Sequence, residues 1–326
     1  MPIQPTRFDF VSLGETMIRL SPPNFERISQ TQSLDIQIGG AESNVAVAMS
    51  RLGFKTAWLS RLPDNALGQR VTAELRAHGV NTTGVRFAPN ERMGTYFIEL
   101  AVPPRPNRVV YDRAGSAASK MTLADVDLDI LTQTRWLHMT GITPALSSSC
   151  LELTIGVIQM ARNIGVTVSF DVNYRALLWS PSQAGAALAT ILPHCDVVFA
   201  AHRDAIALLQ APDDASAAAT ELQNRFGNRI FVLTIGESGA IAQTNTGQLH
   251  IDQPFKVPQI VDRIGAGDAF DAGFIAGQLW DKSVEDSLLC GNALSALKLT
   301  MPGDLALVSK DELYALIGGG KSASLR

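Results

Sequence analysis

The chain has 326 residues, of which 46% are apolar and 18% charged, and a formal net charge of −4. This describes an ordinary water-soluble globular protein, better divided into one large α/β body with a small appendage than into two equal domains. The acidic balance gives no support for nucleic-acid binding, and no run of about 18 uncharged apolar residues exists to cross a membrane.

Met1 to Phe10 lacks the apolar core of a signal peptide. Cys150, Cys195 and Cys290 are odd in number, far apart and form no CxxC, so they read as packing thiols of a reducing compartment. A cytoplasmic protein is expected. His78, His138, His194, His202 and His250 are scattered without an HExxH pair, which argues against a histidine-built metal site.

In chain order, β-rich runs at Phe8–Leu13, Ala57–Ser60, Trp136–Thr140, Thr167–Asp171, Asp196–Ala200 and Ile230–Ile235 alternate with helical patterns. The helical patterns cover Asn44–Leu52, Gln69–His78, Cys150–Ile164, Ser182–Leu192, Asp214–Phe226 and Gly267–Leu279. That alternation predicts a mostly parallel sheet with helices on both faces, and the polar ends of several strands suit a ligand edge.

Two segments break the pattern. Arg19 to Ile38 holds Pro22, Pro23 and a strand-like Leu34–Ile38. Arg92 to Arg113 is extended and interrupted by proline. A small β lid explains both and could close over a substrate to exclude water; irregular surface loops are the alternative. The expected division is therefore 1–18, 39–91 and 114–326 as the main body, with 19–38 and 92–113 as the lid.

The most informative stretch is Asp262-Arg263-Ile264-Gly265-Ala266-Gly267-Asp268. Two glycines open a helix, where free N–H groups and the positive end of the helix dipole suit a phosphate. A carboxylate there works against an anion unless it has a task. The natural task is to take a proton from a hydroxyl that attacks the phosphate, which makes Asp268 the candidate general base. Gly39-Gly40-Ala41-Glu42-Ser43-Asn44 forms a second glycine turn, in which Asn44 can cap the helix or offer its amide to a hydroxyl.

Other glycine signals fail. Gly320-Lys321-Ser322 imitates the end of a P-loop, but the required upstream glycine is Ala315 and no helix can follow before Arg326. No strand leads into a full GxGxxG, so a dinucleotide fingerprint is missing.

Together, Gly39–Gly53 (GG-x-x-x-N-x-A-x-x-x-x-R-L-G) and Gly265–Phe274 (G-A-G-D-x-F-x-x-G-F) resemble the two signatures of the PfkB, or ribokinase-like, sugar kinases. Thr234-Ile235-Gly236-Glu237-Ser238-Gly239 resembles the family's nucleotide-binding turn. The resemblance implies a ribokinase-like α/β fold with a β lid, ATP with Mg²⁺ as donor, a sugar hydroxyl as acceptor, and a homo-oligomer. It places Thr234, Gly236, Gly239 and Asn292 at the nucleotide, together with Gly265 and Gly267. The amides of Gly265, Ala266 and Gly267 would hold the γ-phosphate.

Tyr111-Asp112-Arg113, Gly141-Ile142-Thr143 and Asp171-Val172-Asn173-Tyr174-Arg175 are similar to the 2-keto-3-deoxygluconate kinase branch. That likeness implies a sugar acid held by Tyr111, Arg113 and Arg175, with Tyr96, Gly40 and Asn44 as further contacts and Asn173 near ATP. An arginine fork suits a carboxylate. A surface charge remains the other reading of Arg113, and a salt bridge to Asp171 or a neighbouring acid that of Arg175.

The implied reaction is phosphorylation of the terminal hydroxyl of 2-keto-3-deoxygluconate. The alternatives are another kinase of this fold, such as a fructokinase, or a sugar-acid-binding regulator without catalysis. Three departures stand out. Arg263-Ile264 replaces small hydroxylated residues, which bears on any monovalent cation beside the turn. Ala201-His202-Arg203-Asp204 keeps only the acid of an N-x-x-E motif, leaving Asp204 to reach Mg²⁺ through water. Pro63-Asp64-Asn65 replaces G-x-D.

Overall fold

Strand Val197–Ala201 turns Val197 and Phe199 to one face and Val198 and Ala200 to the other, and all four are buried. A strand apolar on both faces belongs inside a sheet covered on both sides. In the computed structural model, which describes residues 7–102 and 104–319, it lies in the middle of an eight-stranded sheet. The P-loop-like Gly320-Lys321-Ser322 and the first six residues lie outside that description.

The sheet order is Leu249–Asp252, Ala240–Thr244, Ile230–Thr234, Val197–Ala201, Thr167–Asp171, Trp136–Thr140, Phe10–Leu13 and Thr56–Leu59. Every pairing from Thr56–Leu59 to Ile230–Thr234 is parallel. The last two strands run antiparallel, an addition to the parallel pattern expected. One face is covered by helices that include Ser148–Asn163, Pro181–Ile191 and Ala215–Phe226, and the other by Ala41–Arg51, Ala266–Leu279 and Val284–Leu299. This is a ribokinase-like α/β fold. Cys150, Cys195 and Cys290 are buried free thiols. Among the described residues, no helix is long and apolar enough to cross a membrane.

A separate four-stranded sheet has the order Asp35–Gly39, Met17–Ser21, Thr95–Glu99, Arg108–Asp112. Its register aligns Gln37, Arg19, Tyr96 and Tyr111 across one face, and Ile36, Leu20, Phe97 and Val110 across the other. Tyr96 and Tyr111 line a cavity at the edge of the large sheet, while Ile36 and Val110 are exposed.

Arg19 ties this small sheet to the main body. It is fully buried, with Nη2 2.8 Å from Asp262 Oδ2 and Nη1 2.5 Å from Asp304 Oδ1. Tyr96 donates its hydroxyl to Asp304 Oδ2 at 2.7 Å. Burial works against the Arg19 charge, but Asp304 and Asp262 outweigh it and hold its pKa above the usual arginine value.

Substitution of Arg19 by methionine leaves two buried carboxylates short of a counter-charge. The expected loss of stability is about 3–5 kcal/mol, read as a lower urea midpoint at constant slope. A midpoint within experimental error of the parent would remove Arg19 from this role.

Candidate active site

The parallel strands end at one edge, and their last residues lead into Glu15, Asp171, Asp204 and Thr234. Such an edge is where an open α/β sheet binds ligands. A cavity of about 440 Å³ lies there, lined by Asn44, Tyr111, Arg175 and Asp268 among others. A second, of about 620 Å³, lies beside it between Gly236, Gly239, Phe255 and Asn292. Thr234, Arg263 and Gly267 line both, so the two cavities meet at the glycine turn.

Gly265 caps the helix Ala266–Leu279 with φ +79°. A Cβ there would sit 2.0 Å from the Asp304 carbonyl oxygen, so only glycine fits. The N–H groups of Gly265, Gly267 and Asp268 find no acceptor among the described residues. Ala266 differs from the expectation, because its N–H donates to the Arg263 carbonyl at 3.3 Å and closes the turn.

Asp268 sits in the first turn of that helix, and Asn44 donates its Nδ2–H to Asp268 Oδ2 at 2.7 Å. Burial pushes the Asp268 carboxyl up to about 6, against the pull of the Asn44 hydrogen bond and the Arg175 charge. Burial and the Asp268 charge also push Asp171 up to about 7. Asp271, one helical turn beyond Asp268, is raised well above the usual carboxylate range by burial and by Asp171, and its buried Oδ2 finds no hydrogen-bond donor among the described residues. Burial likewise lifts Glu42 to about 7, although Thr143 and Thr140 donate hydroxyls to it. Asn44 is not the helix cap: Gly40 takes that place, and the amide turns to Asp268 instead.

Gly40, Asn44, Tyr96, Tyr111, Arg113, Asn173, Arg175, Asp204 and Asp268 all line the first cavity. Their availability differs. Arg113 is buried, and its Nε and Nη2 are both bound to Glu15, which also accepts from Ser116. Its fork is therefore spent on a buried glutamate, and neither the free ligand fork nor the loose surface charge read from sequence describes it. Tyr96 likewise gives its hydroxyl to Asp304. Tyr111 keeps its hydroxyl free of protein partners among the described residues and stacks near Arg113, 5.6 Å from ring centre to guanidinium carbon.

Arg175 has no ion pair among the described residues. It donates only to the Tyr174 carbonyl, 3.1 Å away, within the field of Asp268, Asp171 and Asp204. The salt bridge to Asp171 is thus not formed. Asn173, expected near the nucleotide, lines the first cavity and not the second, with φ +37°. Asn65 caps the helix Ala66–Ala77 rather than facing the cavity.

Thr234, Gly236, Gly239 and Asn292 line the second cavity together. Gly239 has φ +92°, and a Cβ there would meet the Asp252 carbonyl oxygen at 2.1 Å. Asn292 donates to Asp252 Oδ2 at 2.6 Å. Arg263, which the sequence presents only as a departure, reaches both cavities from an exposed position. Asp271 and Asp304, which also line the first cavity, carry no motif signal of their own.

A family model described as pfkB family carbohydrate kinase matches residues 7–311. The chain is 46% identical over 312 residues to a 2-dehydro-3-deoxygalactonokinase of Haloferax volcanii, covering 96% of this chain and 97% of that protein. It is 30% identical over 319 residues to a 2-dehydro-3-deoxygluconokinase of Bacillus subtilis, covering 97% of each. The crystal structure of a 2-dehydro-3-deoxygluconokinase from Thermotoga maritima superposes with a TM-score of 0.91 at 35% identity, covering 96% of this chain and 100% of that one.

Asn44→Ala removes a hydrogen bond that favours ionised Asp268. The Asp268 carboxyl should then titrate roughly one pH unit higher. A ¹³C-carboxyl NMR titration reads this directly, and an unchanged or lower value would contradict the assigned contact.

Proposed function

Because the chain belongs to the pfkB family of carbohydrate kinases, we propose that it transfers the γ-phosphoryl group of ATP to the terminal hydroxyl of a 2-dehydro-3-deoxy sugar acid, with 2-dehydro-3-deoxygluconate (2-keto-3-deoxygluconate) as substrate. The observation that carries this reading is Arg175, a cation without an ion pair among the described residues, in the same cavity as Asp268. Such a group suits a carboxylate at the far end of the sugar from the reacting hydroxyl. The names of the relatives support the acid. They include both gluco and galacto forms, so the galacto acid belongs in the same test.

In the proposed reaction the sugar oxygen attacks the γ-phosphorus, the bond to the ADP oxygen breaks, and Asp268 takes the hydroxyl proton. An aspartate is far less basic than an alkoxide, so the proton moves late, after the bond to the leaving group has loosened. Catalysis then rests on positioning and charge stabilisation. The N–H groups of Gly265 and Gly267 face the transferred phosphoryl group, and Arg263 stands where the two cavities join. The nucleotide occupies the second cavity, with its base toward Asn292.

Mg²⁺ fits this donor set as an ion held chiefly by phosphate oxygens and water, with the Asp204 carboxylate behind a water. When bound, it neutralises charge on the nucleotide. The small sheet is proposed as a lid, with Tyr111 brought onto the sugar. Its exposed row around Ile36 and Val110 supports self-association through that face. Light scattering that returns a monomer would remove that last point.

One panel tests the reading: ATP turnover with 2-dehydro-3-deoxygluconate, 2-dehydro-3-deoxygalactonate and fructose. The acids should be preferred. Arg175→Ala should cost the acids roughly 10- to 150-fold, with little effect on fructose, because only the acid leaves a charge unpaired. Efficient turnover of fructose beside weak turnover of both acids would promote a fructokinase instead. Equal losses on all three substrates would move Arg175 to the nucleotide phosphates.

Asp268→Asn should lower kcat by about 10²–10⁴-fold with little change in ATP affinity. In the parent enzyme the ionised form is required, so kcat/KM should fall as pH drops through about 6. A variant that keeps more than about half of the parent kcat is incompatible with Asp268 as the base.

A further inference from the structure

Lys298 is a lysine with no exposed surface, in the helix Val284–Leu299. Its ammonium donates to two backbone carbonyls, those of Asp262 and Met301, each at 3.3 Å. These carbonyls belong to the two segments that clasp the glycine turn. Asp262 opens the loop that runs into Gly265, and Met301 begins the loop whose Asp304 carbonyl presses on Gly265.

Both loops also carry a buried carboxylate. Asp262 accepts from Arg19 and from the Gly303 N–H, and Asp304 accepts from Arg19 and Tyr96. Two carboxylates therefore face two cations, Arg19 and Lys298, and the cluster is neutral. Burial, with a smaller push from Arg19, brings the Lys298 pKa below the usual lysine value, although Asp262, Asp304 and Asp268 pull it back up. The other ionisable groups nearby are Tyr96 and Asp268.

The family resemblance raises a monovalent cation beside this turn. The residues present do not fit one. The Asp262 and Met301 carbonyl oxygens beside the turn are already held by the ammonium, and the two carboxylates are matched by the guanidinium. A further ion would place a third positive charge in a site closed to water, where an unbalanced charge is costly.

We propose that Lys298 is a built-in substitute for a bound monovalent cation: with Arg19 it neutralises the two loops and fixes the carbonyls that shape the Gly265 turn, so that anion binding at the turn requires neither K⁺ nor Na⁺. Lys298 is a positioning residue, for it touches neither nucleotide nor sugar. The proposal rests on the turn being the phosphate site of the kinase reading above.

The test measures binding and turnover separately, in KCl, NaCl and tetramethylammonium chloride at equal ionic strength. Calorimetry with Mg-ADP should give parent affinities within about twofold across the three salts, since screening is then the same. Lys298→Met, checked for a cooperative melt, should bind Mg-ADP about tenfold or more weakly in tetramethylammonium and recover in KCl; the loss corresponds to one charge-assisted contact. Lys298→Arg should stay indifferent to the salt.

A parent protein that needs K⁺ for tight binding overturns the proposal, even if the methionine variant fails to fold. A folded methionine variant that responds to the salts as the parent does overturns it as well. Salt-independent Mg-ADP binding without turnover of any sugar would count against the kinase reading while leaving the role of Lys298 in place.

Discussion

The architecture of the site depends on where the Arg19 guanidinium can find compensation. A fully buried arginine loses its hydration and must recover that free energy from acceptors at fixed distances. Here the acceptors are Asp262, ahead of the glycine turn, and Asp304, behind it. Asp304 also receives the Tyr96 hydroxyl, and its Oδ2 is so near Gly39 that a Cβ there would collide with it at 2.3 Å. One buried guanidinium, through two ion pairs, thus brings together the small sheet, the Gly39-Gly40 turn and the Gly265 turn. The Asn44–Asp268 hydrogen bond is made across the space these pieces enclose.

The cavity is rich in carboxyl groups although its proposed ligands are anions. Burial resolves the conflict. Asp171 and Asp271 are both pushed toward the neutral acid, so the negative charge the ligands meet is smaller than a count of side chains suggests. The cations are not spent evenly either. Arg113, Arg19 and Lys298 are committed to buried protein acceptors, while Arg175 stands at the cavity wall without an ion pair among the described residues and Arg263 meets only the exposed Glu237, at 3.6 Å.

Much of this was legible from sequence where a local rule applied. Trp136–Thr140 and Thr167–Asp171 have the expected bounds, because an apolar run between turns is a local property. The antiparallel pair Ala240–Thr244 and Leu249–Asp252 escaped notice, although Asn245-Thr246-Gly247 offers a hairpin signal. The helix Val284–Leu299 was missed for a physical reason: it is buried on most sides and has no clear polar stripe to give periodicity. The glycine turns and Asp268 were visible as motifs. The pairings Arg113–Glu15, Arg19–Asp304 and Lys298–Asp262 were not, since each joins residues that only the fold makes neighbours. Sequence marks a charge; it does not say which charges are already satisfied.

The glycines of the site also differ in how evolution can treat them. At Gly14 an added methyl group would strike the Glu42 side chain, at 2.2 Å from its carboxyl carbon. A second substitution that shortens or turns that side chain can make room, so a suppressor exists in principle. At Gly265 the obstacle is the Asp304 carbonyl oxygen, which every amino acid carries. No change of side chain at position 304 can withdraw it, and the positive φ penalises any replacement again. Gly14 can therefore drift with a compensating partner, whereas Gly265 has no genetic escape short of remodelling the loop behind it.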